Sequence, residues 1–294
     1  MSQDLPATED ANPRTAQLDL MPARELVELL VDEQRGAVDA VARESERIAA
    51  VVETIVDRLE RGGCLHYVGA GTSGRLATLD AAEIPPTFGA PPDLVRAHVA
   101  GGREALVRAI EGAEDDAESG DAAMREQARP GDAVIGLSAS GSAPFVVAAL
   151  ERARAIGAFT VAIVNTEGSP LARAAAVAIV LHTGAEAIAG STRLRAGTAQ
   201  KIALNAISTA VMVRLGKVHG NLMVDVVATN RKLQARAVRL VCQLAGVDGA
   251  RAAELLAAAG GRVKVAVVMQ RRGVGAPDAI ALLERHRGSL RALL

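Results

Sequence analysis

The sequence predicts an α/β protein built on a parallel sheet of about five strands, flanked by helices. Short apolar runs at 64–68, 133–137, 159–164 and 177–181, with 94–99 as a fifth, alternate with stretches of helical periodicity. That alternation is the signature of βα units and of a doubly wound parallel sheet. Two of the runs, the first and second, lead directly into turns rich in glycine and hydroxyl residues that open onto helices. A chain of 294 residues, 50% apolar and 23% charged, is long enough for such a core and one further small module.

Residues 1–19 read as an irregular arm. From 22 to 61, Leu26, Leu29, Leu30, Val38, Val41, Ile48, Val51, Val52, Ile55, Val56 and Leu59 recur at three- and four-residue spacing. This predicts one short and one long helix, stopped by Gly62-Gly63. The first strand follows, then Gly69-Ala70-Gly71-Thr72-Ser73-Gly74 and a helix that Pro85-Pro86 should end. After the strand at 133–137 comes the loop Ser138-Ala139-Ser140-Gly141-Ser142, and Pro144 opens a helix to about Ile156, at the first-turn position that proline suits. A short helix is expected near Pro170, and a long one from Thr192 to about Val213. Residues 231–294 hold only helical patterns. The expected domains are therefore 1–61 (arm and helices packing on the core), 62–230 (the sheet domain) and 231–294 (a small helical module).

Composition excludes several classes of function. The net charge is −1, so neither nucleic acid nor an anionic membrane is expected as a partner. Tyr67, Phe88, Phe145 and Phe159 are the only Phe, Tyr or Trp residues, too few for base-stacking platforms or a stacked sugar site. A polar ligand must then be held by hydrogen bonds and dipoles. Cys64 and Cys242 form no disulfide framework and no metal cluster by spacing. No apolar run spans a bilayer and the start has no signal-peptide core, so a cytoplasmic location is expected.

The two loops are the candidate ligand site. Ligands of open parallel sheets bind beyond the carboxyl ends of the strands. Glycines let backbone N–H groups approach an anion, hydroxyls add donors, and a helix N-terminus favours phosphate. Neither loop is a P-loop, since the Gly-Lys-Ser/Thr ending is missing. The first matches G-x-G-x-x-G, but the acidic ribose partner expected ~20 residues on is not placed at a strand end. The bland alternative is that both loops only cap helices. Glu83, beside Ile84-Pro85-Pro86, has apolar sequence neighbours, and burial would raise its pKa into the range of a useful acid. Glu114 sits in Glu111-Gly112-Ala113-Glu114-Asp115-Asp116, where crowding should raise at least one pKa; the alternative is a solvated helix start. His66 reads as a core or sheet-edge residue, and His98, His182, His219 and His286 lack metal-ligand spacing.

The strings Gly69-Ala70-Gly71-Thr72-Ser73-Gly74-Arg75, Glu83-Ile84-Pro85-Pro86-Thr87-Phe88-Gly89, Glu111-Gly112-Ala113-Glu114-Asp115-Asp116, Gly190-Ser191-Thr192-Arg193-Leu194-Arg195-Ala196-Gly197-Thr198-Ala199-Gln200-Lys201 and Gly220-Asn221-Leu222-Met223-Val224-Asp225 closely resemble the N-acetylmuramic acid 6-phosphate etherase family. The likeness runs in order through nearly the whole chain. It implies a sugar isomerase (SIS) fold followed by a small three-helix-type module similar to ubiquitin-associated domains. It also implies a homodimer, a cytoplasmic location and no metal or organic cofactor. The implied reaction removes D-lactate from N-acetylmuramic acid 6-phosphate by elimination and hydration, in cell-wall amino-sugar recycling. By the resemblance Glu83 is the acid/base at the leaving oxygen and Glu114 the second catalytic group, the candidate base at C2. Thr72, Ser73, Ser138 and Ser140 would hold the phosphate, and Glu186 and Ser191 would line the sugar pocket. The family usually reads Ser-Gly-Arg-Thr-Pro where this chain has Ser140-Gly141-Ser142-Ala143-Pro144, so Ser142 stands in for a lost hydroxyl at Ala143. Ala11 and Ala185 replace a common Arg and Pro. Two alternatives share the fold: an aldose–ketose phosphosugar isomerase, and a non-catalytic phosphosugar-sensing regulator.

Overall fold

The structure, a computed structural model, describes residues 6–225 and 231–294, and the backbone alone at Arg231 and Lys232. The first five residues of the expected arm, and the expected domain end at 226–230, lie outside the described residues. By contacts the chain divides into two units. One joins the residues up to Ala81 with Asp93–Ser208, and the other joins Ala82–Pro92 with Thr209–Leu294.

In the first unit the helical stretch before the sheet forms three helices, not two: α1 (Ala23–Glu33), α2 (Arg35–Arg43) and α3 (Ser45–Glu60). The breaks at Gln34 and Glu44 keep near-helical dihedrals, φ −73°, ψ −16° and φ −95°, ψ 8°. No glycine or proline marks them, so the hydrophobic period runs through almost undisturbed.

Strands β1 (Leu65–Gly69), β2 (Val95–Val99), β3 (Ala133–Ser138), β4 (Phe159–Val164) and β5 (Val177–Val180) form one parallel sheet in the order β2-β1-β3-β4-β5. All five expected strands are present. Every residue of β1 and β3 is buried, as expected where helices cover both faces. The connecting helices are α4 (Gly71–Phe88), α5 (Ala117–Gln127), α6 (Pro144–Ile156), α7 (Pro170–Ala174) and α8 (Arg195–Arg214). On one face Phe145, Val146 and Leu150 of α6 pack with Val68, Val134 and Ala162 of the sheet. Elsewhere the buried Tyr67 hydroxyl donates to Asp80 Oδ2 at 3.0 Å, and Asp80 Oδ1 accepts from Asn205 Nδ2 at 2.6 Å and Ser208 Oγ at 3.1 Å. This ties β1, α4 and α8 together. Burial, then the neighbouring Asp80 charge, pushes the Tyr67 phenol well above its ordinary pKa.

Pro85 and Pro86 do not end α4, contrary to the sequence expectation; the helix runs on to Phe88. Each proline removes an N–H donor, but burial of Ile84 and Phe88 on the same helix compensates, and Gly89 N–H closes the last turn onto Pro85 O at 2.9 Å.

The second unit contains a two-stranded antiparallel ladder of β6 (Val218–His219) and β7 (Leu222–Met223), too short for a sequence period to reveal. Among the described residues it then has four helices, α9 (Arg231–Ala245), α10 (Gly249–Ala258), α11 (Val263–Arg272) and α12 (Ala276–Arg285), in the stretch expected to be a small helical module. Val241, Ala252, Val263, Val267 and Ala279 form their core together with Val224. Lys264 is buried, donating to Gly216 O at 2.8 Å and Asp225 Oδ2 at 2.7 Å. Gly89 also belongs to this unit. Its φ is +59°, and a Cβ there would lie 2.0 Å from the Asp225 carbonyl oxygen. Among the described residues no helix is long and apolar enough to cross a membrane.

Candidate active site

The strand order reverses direction between β1 and β3. The chain leaves β1 for β2 on one side, and leaves β3 for β4 on the other. Such a switch point opens a crevice at the carboxyl ends of the two strands. Both hydroxyl-rich loops leave from it, because Gly69 at the end of β1 lies in register with Leu137, one residue before Ser138.

The first loop is shorter than its sequence suggests. Helix α4 already begins at Gly71, so Thr72, Ser73 and Gly74 form its first turn. The opening N–H groups of a helix lack intrahelical acceptors and carry the positive end of the dipole. Ser73 is buried, and its Oγ donates to Gln200 Oε1 at 2.7 Å. Gln200 Nε2 donates to Asn165 Oδ1 at 3.2 Å, and Asn165 Nδ2 donates to Leu181 O at 2.9 Å and Thr183 Oγ1 at 3.1 Å. This buried chain joins the starts of α4 and α8 to the carboxyl ends of β4 and β5.

The second loop is folded by its own hydroxyls. Ser138 Oγ accepts from Gly141 N–H at 3.1 Å, and Ser140 Oγ accepts from Ser142 Oγ at 2.8 Å and Ser142 N–H at 3.3 Å. Gly141 makes the bend at φ +67°, a region open to glycine at little cost. Ala143 then starts α6 as an N-cap with no side-chain hydrogen bond.

Beyond β5, Glu186 is fully buried. Its two oxygens accept from Arg195 N–H at 2.9 Å and Ala196 N–H at 2.8 Å, the opening donors of α8. Burial raises its pKa, while these two backbone bonds oppose the rise. Ser191 is half-buried in the turn before α8.

Both candidate glutamates are exposed. Glu83 is exposed on α4, within the second unit, although Ile84 beside it is buried. Glu114 is exposed in a single helical turn before α5, within the first unit. Crowding does not raise the pKa of Asp116 beside it; hydrogen bonds from Ser119, as Asp116 caps α5, lower it. Glu111, Gly112 and Ala113 of the same loop border a pocket of about 880 Å³ that also meets His98, Asp116 and Ser119.

One cluster was not read from the sequence. His66 is fully buried, as a core histidine should be, yet its Nδ1 lies 2.9 Å from His98 Nε2 and its Nε2 lies 3.2 Å from Asp132 Oδ2. Burial lowers the pKa of both rings, that of His98 to about 4. The register of β1 on β2 sets His66 opposite Arg96 and His98 opposite Val68, so the two rings meet on a diagonal that the sequence alone does not show.

Residues 114–210 match the SIS domain family, and residues 47–154 match the glucokinase regulatory protein N-terminal SIS domain. A phosphoheptose isomerase from Francisella tularensis shares the fold with a TM-score of 0.51 at 16% identity, over 66% of this chain and 100% of that one. The parallel sheet, the paired loops at its switch point and these matches define a SIS-domain protein. Three curated relatives are each described as an N-acetylmuramic acid 6-phosphate etherase. The one from Symbiobacterium thermophilum is 52% identical over 91% of this chain and 89% of its own length. Those from Deinococcus radiodurans (48%, covering 98% and 94%) and Geobacillus thermodenitrificans (47%, covering 98% and 98%) are similar over still more of the chain. The chain belongs to the N-acetylmuramic acid 6-phosphate etherase family.

Proposed function

We propose that this chain is a carbon–oxygen lyase that cleaves the D-lactyl ether of N-acetylmuramic acid 6-phosphate. The products are N-acetylglucosamine 6-phosphate and D-lactate, in amino-sugar recycling. The observation that carries the reading is the pair of hydroxyl-bearing loops at the β1/β3 switch point, in a chain about half identical to named etherases. Thr72, Ser73, Ser138, Ser140 and Ser142 hold the phosphate, with the first-turn amides of α4 and α6. Glu186 shapes the sugar pocket by fixing the start of α8, beside Ser191.

The ether oxygen is on C3, β to the C1 aldehyde of the open-chain sugar. Glu114 takes the C2 proton, and electrons move to expel the lactyl oxygen, which Glu83 protonates. Water then adds to C3 of the unsaturated aldehyde, giving its proton to Glu83, while C2 regains one from Glu114. One water is consumed and both carboxyl groups return to their starting states. Two carboxyls suffice for this chemistry if one begins protonated. Both are exposed in the single chain, so a homodimer partner supplies the desolvation. The protein acts in the cytoplasm. In this reading residues 1–61 brace the sheet domain, 62–230 carry the sugar phosphate, and 231–294 form a small helical domain whose core also takes in Val224.

Incubation of the purified protein with N-acetylmuramic acid 6-phosphate should release D-lactate. A folded protein that binds the sugar phosphate without releasing lactate would instead be a phosphosugar sensor.

Ala143 offers a second check. Ala143→Ser supplies the missing N-cap oxygen of α6, worth ~0.5–2 kcal/mol. We expect a higher midpoint in urea unfolding together with a lower KM. An unchanged KM would place the phosphate away from this turn.

A further inference from the structure

Glu33, at the end of α1, is buried to 2% exposure, yet it is a carboxylate on a helix far in sequence from both loops. It accepts from Asn12 Nδ2 at 2.7 Å, pairs with Arg14 at 2.6 Å, and pairs closely with the Arg195 guanidinium. Arg195 also donates through Nε to Glu33 O at 2.6 Å and through a second nitrogen to Thr183 O at 2.8 Å. Its own backbone N–H is held by Glu186. One turn on, Thr198 Oγ1 donates to Gln34 Oε1 at 2.8 Å. The break between α1 and α2 therefore grips the first turn of α8.

That turn reaches the first loop in two places. Gln200 takes the hydrogen bond of Ser73. A Cβ placed on Gly197 would lie 3.4 Å from Thr72 Cγ2, so the helix backbone packs on the Thr72 side chain. A buried carboxylate with two guanidinium partners is costly to desolvate and is weak evidence for stability by itself. Its geometry is better matched to a requirement for register, since a guanidinium fork holds several acceptors at fixed angles.

We propose that Arg195 is a positioning residue for phosphate binding: clamped by Glu33, it sets the first turn of α8 so that Gln200 and Gly197 orient Ser73 and Thr72. The inference rests on the reading that the substrate phosphate sits on that loop. Arg195 itself touches no substrate in this scheme.

The test uses the full-length protein, with N-acetylmuramic acid 6-phosphate as substrate and inorganic phosphate as competing anion. Arg195→Lys keeps the charge but loses the fork. It should raise KM and the phosphate inhibition constant together by about tenfold, equivalent to ~1.4 kcal/mol of binding, while kcat changes little. Thr198→Val, a milder change, should move both constants in the same direction by a smaller factor. A purely structural role would lower the unfolding midpoint and the active fraction but leave both constants unmoved. Unmoved constants in folded Arg195→Lys and Thr198→Val proteins overturn the inference. Thr72→Val, which keeps the methyl facing Gly197 and leaves the Ser73–Gln200 bond in place, reports separately on the reading beneath it. If Thr72→Val leaves KM and phosphate inhibition unaltered, the phosphate is not on this loop; if it weakens both and Arg195→Lys does not, only the positioning role falls.

Discussion

Glu83→Ala should lower D-lactate release by ~10²–10⁴-fold, the range over which general acid–base groups act, and Glu114→Ala should do the same. The proposed roles separate the two variants in heavy water. The enzyme should place deuterium at C2 of the product, because the C2 proton leaves and returns during turnover. The Glu83→Ala protein, still holding its C2 base, should exchange that proton into solvent without releasing lactate. The Glu114→Ala protein should do neither. Exchange retained by Glu114→Ala and lost by Glu83→Ala would reverse the assignment. Circular dichroism should be unchanged in both, since each side chain is exposed and neither supports the core.

Gly89→Ala should have the second large effect. The residue needs φ +59°, which costs a non-glycine residue ~1–2 kcal/mol. Its new Cβ would also meet the Asp225 carbonyl oxygen at 2.0 Å, and a backbone atom cannot rotate aside as a side chain can. The overlap must be relieved by displacing either the segment 82–92, which carries Glu83, or the turn at Asp225. We expect destabilisation of ~3 kcal/mol or more, the sum of backbone strain and overpacking. Activity should fall even in the fraction that stays folded. A urea midpoint within experimental error of the wild type would show that the two segments do not pack as described. This contact gives a physical reason for two separate sequence strings, Glu83 to Gly89 and Gly220 to Asp225: one needs a glycine where the other presents its backbone.

The sheet was legible because its central strands β1, β3 and β4 are buried and read as short, mostly apolar runs between helical periods, while the edge strand β2, half-buried and carrying Arg96 and His98, gave the weakest signal. The loops at 69–74 and 138–142 were legible because glycine and hydroxyl residues concentrate where strands enter helices. Pro85-Pro86 misled because a local rule about proline was outweighed by burial of Ile84 and Phe88 on the same helix. Helix α5 gave little apolar pattern, since only Gly120 and Met124 along it are buried. The bonds that assemble the site join residues remote in sequence. Ser73 and Gln200 are 127 residues apart, and Glu33 and Arg195 are 162 apart. A pairing at that range leaves no period or spacing to read. The exposure of Glu83 was equally hidden, because apolar sequence neighbours do not fix which way a helical side chain faces, whereas the acidic run around Glu114 already read as a solvated helix start.

The hydrogen bond between Tyr67 and Asp80 has an optical consequence. With no tryptophan in the chain, its only tyrosine is the sole residue giving appreciable ultraviolet emission. That fluorophore sits on β1, two residues before Gly69, with its hydroxyl against a carboxylate. A carboxylate acceptor quenches phenol emission, so the folded protein should be dim and brighten on unfolding, with a single local reporter in place of an average over many. Because Asp80 lies on the helix whose first turn holds Thr72 and Ser73, the same dim signal is placed to register ligand binding at that turn, without any added label.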